Sequence, residues 1–114
     1  QLLDSGVNVA LGTDSLASND SLSILDEMRY LYKARRDIIV DEIFRAATIN
    51  GARALGFAEL GALRPGWLAD LTVLGLPQGI ASNHLQEEIL QGAGECTGTI
   101  VQGEIAWRKP AVID

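Results

Sequence analysis

The stretch VNVALGTDSLASND (residues 7–20) decides how this chain folds. Val7 to Leu11 is a short apolar run bounded by Gly6 and Gly12, the pattern of a buried strand. Beyond it lies a turn rich in Ser, Asn, Asp and Gly, with Asp14 separated from the strand's last apolar residue, Leu11, by Gly12 and Thr13. Asn19 or Asp20 can cap a helix, because a short polar side chain bonds an unpaired amide of the first turn. A strand, a loop holding a carboxylate and then a helix make one unit of an α/β fold. In such folds active sites form at the C-terminal ends of the strands. An ionised Asp placed there can hold a divalent metal through one oxygen and move a proton through the other. It can equally close the turn by an Asx-type hydrogen bond, and on spacing alone that is the simpler role.

Working outward, the helix after the loop is predicted over residues 21–36. Leu22, Leu25, Met28, Leu31, Tyr32 and Arg35 recur at three and four, leaving Asp26, Glu27, Arg29 and Lys33 for water. Lys33, Arg35 and Arg36 fall in its last turn, where they complement the helix dipole. A second helix is predicted over DEIFRAATI (residues 41–49), with Asp41 and Glu42 in its first turn and Ile43, Ala46, Ala47 and Asn50 on one face. Asn50-Gly51 reads as a break, followed by further helix over residues 52–55 that ends at Gly56. Upstream of the strand, Leu2-Leu3-Asp4-Ser5-Gly6 reads as the end of a helix, with Gly6 in the left-handed closing position. That opening suggests a piece of something longer.

The character changes near residue 60. Arg64-Pro65-Gly66 is a tight turn, with Pro fixing φ at the first corner and Gly allowing positive φ at the second. Residues 71–74 read as a strand and 84–90 as a short helix. Residues 97–101 and 104–108 read as two strands joined by Gln102-Gly103 in a hairpin. Residues 1–56 thus look like α/β barrel units, and 57–114 like part of a small β domain.

Composition narrows the function. The chain has 114 residues, 47% of them hydrophobic, and a formal charge of −6. With no basic cluster longer than Arg35-Arg36, nucleic acid and anionic membranes are excluded as expected partners. No apolar run approaches the about 20 residues that span a bilayer, and no signal-peptide layout opens the chain; the expected compartment is cytoplasmic. The single Cys96 makes no disulfide framework and reads as a small half-buried hydrophobe.

Three stretches carry a family resemblance: VALGTDSLASNDSLSILDEMR (9–29), AATINGARALG (46–56) and GALRPGWLADLTVL (61–74). In this order they resemble the C-terminal part of the amidohydrolase superfamily, in its chlorohydrolase and nucleobase or nucleoside deaminase branch. The likeness covers most of residues 1–108, and GTIVQGEIAWRK (98–109) resembles the closing hairpin of the family's small β domain.

The resemblance implies a distorted (β/α)8 barrel, of which residues 1–56 would be the last βα unit and following helices. Residues 57–114 would then be the C-terminal portion of the small composite β domain. It implies one divalent metal, Zn²⁺ or Fe²⁺, with Asp14 as metal ligand and catalytic proton carrier. Thr48, Asn50, Ala52, Leu55 and Gly56 match packing positions. Ser15, Ser18 and Asn19 read as loop-fixing residues, and Trp67 and Trp107 as core or interface.

The activity implied is metal-dependent hydrolysis of a C–N bond, deaminating an amino-substituted heterocycle of purine, pyrimidine or nucleoside type. Dechlorination, or hydrolysis of a ring amide or imidazolone, is the alternative within the family; a non-catalytic assembly module is the alternative outside it. The family's site also needs several histidines, and this sequence has one, His84, far from Asp14 in the chain and read as a surface or outer group. A lone carboxylate cannot replace a three- or four-ligand shell, and a full barrel takes about 250 residues. The expectation is therefore a chain inactive by itself, associating with the rest of a parent chain or with itself, the parent being a homodimer.

Overall fold

The computed structural model describes residues 5–13 and 23–111. The chain divides into two compact units, Gln1–Ala62 and Leu63–Asp114.

The first unit is helical among its described residues. Helix α1 spans Ile24–Ala34, α2 Val40–Ala47 and α3 Ile49–Ala54. α1 starts later than the sequence pattern predicts: its N-cap is Ser23, whose side chain accepts from the Asp26 amide, and Asn19 and Asp20 lie outside the described residues. Acidic Asp26 and Glu27 sit in its first turn and Lys33 in its last, matching the dipole. After it, Arg35 grips Asp37 through both carboxylate oxygens, Nε to Oδ1 at 2.9 Å and Nη2 to Oδ2 at 2.8 Å. That paired carboxylate raises the Arg35 pKa above its ordinary value. Arg36 stacks on the Tyr32 ring.

The helical break falls at Thr48, earlier than Asn50-Gly51, so Asn50 and Gly51 are inside α3. Thr48 at φ −126°, ψ −95° leaves helical space, and its hydroxyl and amide turn back to the Phe44 and Arg45 carbonyls at 2.7 and 3.2 Å. These contacts satisfy carbonyls that the end of a helix leaves without partners. α3 stops at Gly56, φ +86°, where Gly56 N–H bonds Arg53 O and Phe57 N–H bonds Ala52 O. This is a Schellman motif, and glycine suits the left-handed residue it requires. Among the described residues of this unit, the buried ones are Met28 on α1, Ile43 and Ala46 on α2, and Ile49 and Ala52 on α3. The apolar stripes of the helices thus supply the core.

The second unit carries an antiparallel sheet in the order β1-β2-β3, from Leu71–Gly75, Glu95–Val101 and Glu104–Arg108. Before β1, Trp67 N–H bonds Arg64 O across Pro65-Gly66, with Gly66 at φ +83°. That is the type II turn the two residues encode, and the Arg64 guanidinium lies 4.6 Å over the Trp67 ring. A single 3₁₀ turn, Ser82–His84, leads into helix α4, Leu85–Leu90, which buries Ile89 and Leu90. β2 and β3 join through Gln102 and Gly103 at φ +51° and +81°, the paired positive values of a type I′ hairpin. Asp70 Oδ1 accepts the Gln102 amide at 2.8 Å, holding that turn. Cys96 is half-buried on β2 and its thiol points to the Gly98 carbonyl. Trp67 is half-buried, whereas Trp107 is 46% exposed on β3 and is no core residue of the chain.

Candidate active site

The segment Val7–Thr13, which leads directly to Asp14, forms no strand pairing among the described residues, and Val7, Asn8 and Ala10 are exposed. The strand expected over Val7–Leu11 thus finds no strand partner among the described residues. A parallel strand draws its hydrogen bonds from neighbouring strands, and this segment draws them from helices instead.

Three of its hydrogen bonds run to α2 and α3. Leu11 N–H donates to Ala46 O at 3.0 Å. Ala46 lies in the last turn of α2, where the break at Thr48 leaves its carbonyl without the usual helical donor. Asn50 Nδ2 donates to Val9 O at 3.0 Å, and Asn8 Nδ2 donates to Asn50 O at 2.9 Å. Each asparagine thus presents its NH₂ group to a main-chain carbonyl of the other's segment, and carbonyls only accept. Asn50 is half-buried and Asn8 exposed.

Asp14 itself lies outside the described residues, as do Ser15, Ser18 and Asn19. His84 is exposed and belongs to the second unit. Among the described residues no group of three or more His, Cys, Asp or Glu gathers to hold a metal ion, and none of their helices is long and apolar enough to cross a membrane. Of the positions assigned to packing, Ala52 is buried and Gly56 closes α3, but Leu55 is 78% exposed.

Sequence reading missed the Asn8–Asn50 exchange. The available signal was Asn8 itself, a polar residue inside VNVAL that needs a partner if its neighbours are to be covered.

Comparison with known proteins supplies the context. Residues 1–106 match the model of the Amidohydrolase family. The chain is 32% identical to a 5-methylthioadenosine/S-adenosylhomocysteine deaminase of Halothermothrix orenii, across 99% of this chain and 29% of that protein. It is 41% identical to the enzyme of the same name from Pyrococcus abyssi, across 90% of this chain and 27% of that one.

Among solved structures, it superposes on Helicobacter pylori aminofutalosine deaminase with a TM-score of 0.80 and 28% identity, covering 93% of this chain and 27% of that one. A mutant atrazine chlorohydrolase from Arthrobacter aurescens TC1, complexed with zinc and atraton, gives a TM-score of 0.78 and 27% identity over 98% of this chain and 28% of that one. The chain spans less than a third of the length of each relative, and so corresponds to a portion of their fold. With that fold shared and the family's sequence pattern running through nearly all of it, the chain belongs to the amidohydrolase family.

Proposed function

We propose that the full-length protein is a metal-dependent deaminase whose substrate is an adenine nucleoside carrying a thioether at its 5′ position. The observation that carries this reading is the similarity, across 99% of this chain, to a 5-methylthioadenosine/S-adenosylhomocysteine deaminase. The superposition on an aminofutalosine deaminase also determined in complex with methylthio-coformycin supports the same substrate class.

In this reading residues 1–56 are the last βα unit of a barrel and its following helices, and 57–114 belong to a small β domain. Asp14 follows the segment Val7–Thr13 and acts at the barrel's mouth, as one metal ligand and as proton carrier. A single carboxylate is a hard oxygen donor suited to a divalent cation, as one member of a shell too small to complete alone. The remaining ligands come from elsewhere in the full-length protein. Bound there, the metal supplies an acidified water; zinc is the choice favoured by the zinc-bound relative. Asp14 accepts a proton from the attacking water and returns it to the departing nitrogen, general base and then general acid in one turnover. The balance is water plus aminopurine giving oxopurine plus ammonia.

The test is the full-length protein incubated with 5′-methylthioadenosine, S-adenosylhomocysteine and adenosine, read by ammonia release and by the ultraviolet change from adenine to hypoxanthine. Turnover of the thioether nucleosides is expected. Inertness towards all three would overturn the assignment.

The likeness to an atrazine chlorohydrolase favours one alternative, hydrolytic displacement of chloride from a triazine. Chloride release from atrazine by the same preparation distinguishes it.

A further inference from the structure

We propose that Asn50 is a positioning residue for the reaction, acting through the segment Val7–Thr13 and not as a packing residue alone. The inference rests on the reading of Asp14 as the proton carrier. Asp14 is the next residue after Thr13, so whatever fixes this segment fixes the main chain that leads into Asp14.

The segment has no sheet partner among the described residues, and the three bonds described above tie it to the α2–α3 junction. Two of the three involve Asn50, one through its carboxamide and one through its main-chain carbonyl. The third uses the Ala46 carbonyl that the break at Thr48 sets free. Asn50 is therefore the single side chain on α3 that reaches this segment in the bonds described, and it does so at Val9, five residues before Asp14. Small errors in the placement of a catalytic group cost up to about 100-fold in rate.

The experiment compares Asn50→Ala, Asn50→Asp, Asn8→Ala and Asp14→Asn in the full-length protein. It measures kcat and KM with 5′-methylthioadenosine, bound zinc after desalting, and hydrogen exchange of the peptide containing residues 7–13. Asn50→Ala is expected to lower kcat about tenfold or more, to leave KM within about threefold, and to speed exchange in that peptide while the α1 peptides keep their protection. Asn50→Asp keeps the shape of the side chain but sets an acceptor against the Val9 carbonyl, so it is expected to behave like Asn50→Ala. Packing alone would be satisfied by the isosteric Asp. Asn8→Ala, which leaves the Asn50 side chain in place, is expected to shift kcat and exchange in the same direction by less, and it carries the test should Asn50→Ala fail to fold.

Wild-type kcat and unchanged exchange in Asn50→Ala, or full activity in Asn50→Asp, overturn the proposal. If Asp14→Asn keeps normal turnover, the underlying reading of Asp14 has failed. If Asp14→Asn is inactive while both Asn50 variants are normal, only the present inference has failed.

Discussion

Gly61 stands so close to Ile49 that a β-carbon on it would lie 2.7 Å from Ile49 Cα and 3.0 Å from Ile49 N. The contact brings one main chain against the first residue of α3, with no side chain between them. Gly61 also holds φ +99°, so a side chain there meets backbone strain as well as a clash that main-chain atoms cannot relieve by changing rotamer.

Gly61→Ala is therefore expected to destabilise the protein by about 2 kcal/mol or more. Gly66, at φ +83°, has open space where a β-carbon would go, so Gly66→Ala should cost only the left-handed strain, about 1 kcal/mol. Thermal unfolding of the two variants side by side checks the order, and equal losses would contradict it.

In the core, Ile43 on α2 is fully buried, 0% exposed. Ile43→Ala removes apolar atoms and leaves a cavity, an expected loss of about 2–5 kcal/mol. Leu55→Ala, at a position 78% exposed, should shift stability by no more than about 0.5 kcal/mol. Urea denaturation midpoints give both values.

The hairpin offers a local test. Asp70→Ala deletes the acceptor of the Gln102 amide, and for this exposed bond the expected loss is about 0.5–1.5 kcal/mol. Asp70→Asn keeps an acceptor oxygen and should recover most of the loss in a thermal melt.

For the chemistry, Asp14→Asn in the full-length protein is expected to lower kcat by about 10²–10⁴-fold with the fold kept, as judged by circular dichroism. The amide retains the size of the carboxylate but cannot take up a proton from water.

The 114-residue chain alone should not keep zinc through desalting. It has one His and one Cys, too few soft or imidazole donors for the four-coordinate shell zinc prefers. Stoichiometric zinc after a desalting column would contradict this.

What could be read from the sequence was mostly what local chemistry decides. Pro65-Gly66 and Gln102-Gly103 encode their turns through the φ values those residues prefer, and Gly56 stops its helix for the same reason. The β-branched run over 71–74 and the hairpin segment 104–108 match β1 and β3 to within a residue. Where partners are distant in the chain, reading failed. The helix breaks at Thr48 and not at Asn50-Gly51, and Asn50, inside α3, bonds Val9, some forty residues earlier. Val7–Leu11 has the composition of a strand, but pairing is decided by what lies beside it. Asp14 was legible as a candidate from its place after an apolar run; Asn8 and Asn50 were not, since their exchange joins two segments that share no pattern.

The break at Thr48 also sets a phase. Each residue of α-helix turns the chain about 100°, so deleting one residue between Ala47 and Asn50 would swing the Asn50 carboxamide away from Val9 while hardly changing the length of the helices. The linker between α2 and α3 is thus intolerant of insertions and deletions for angular reasons.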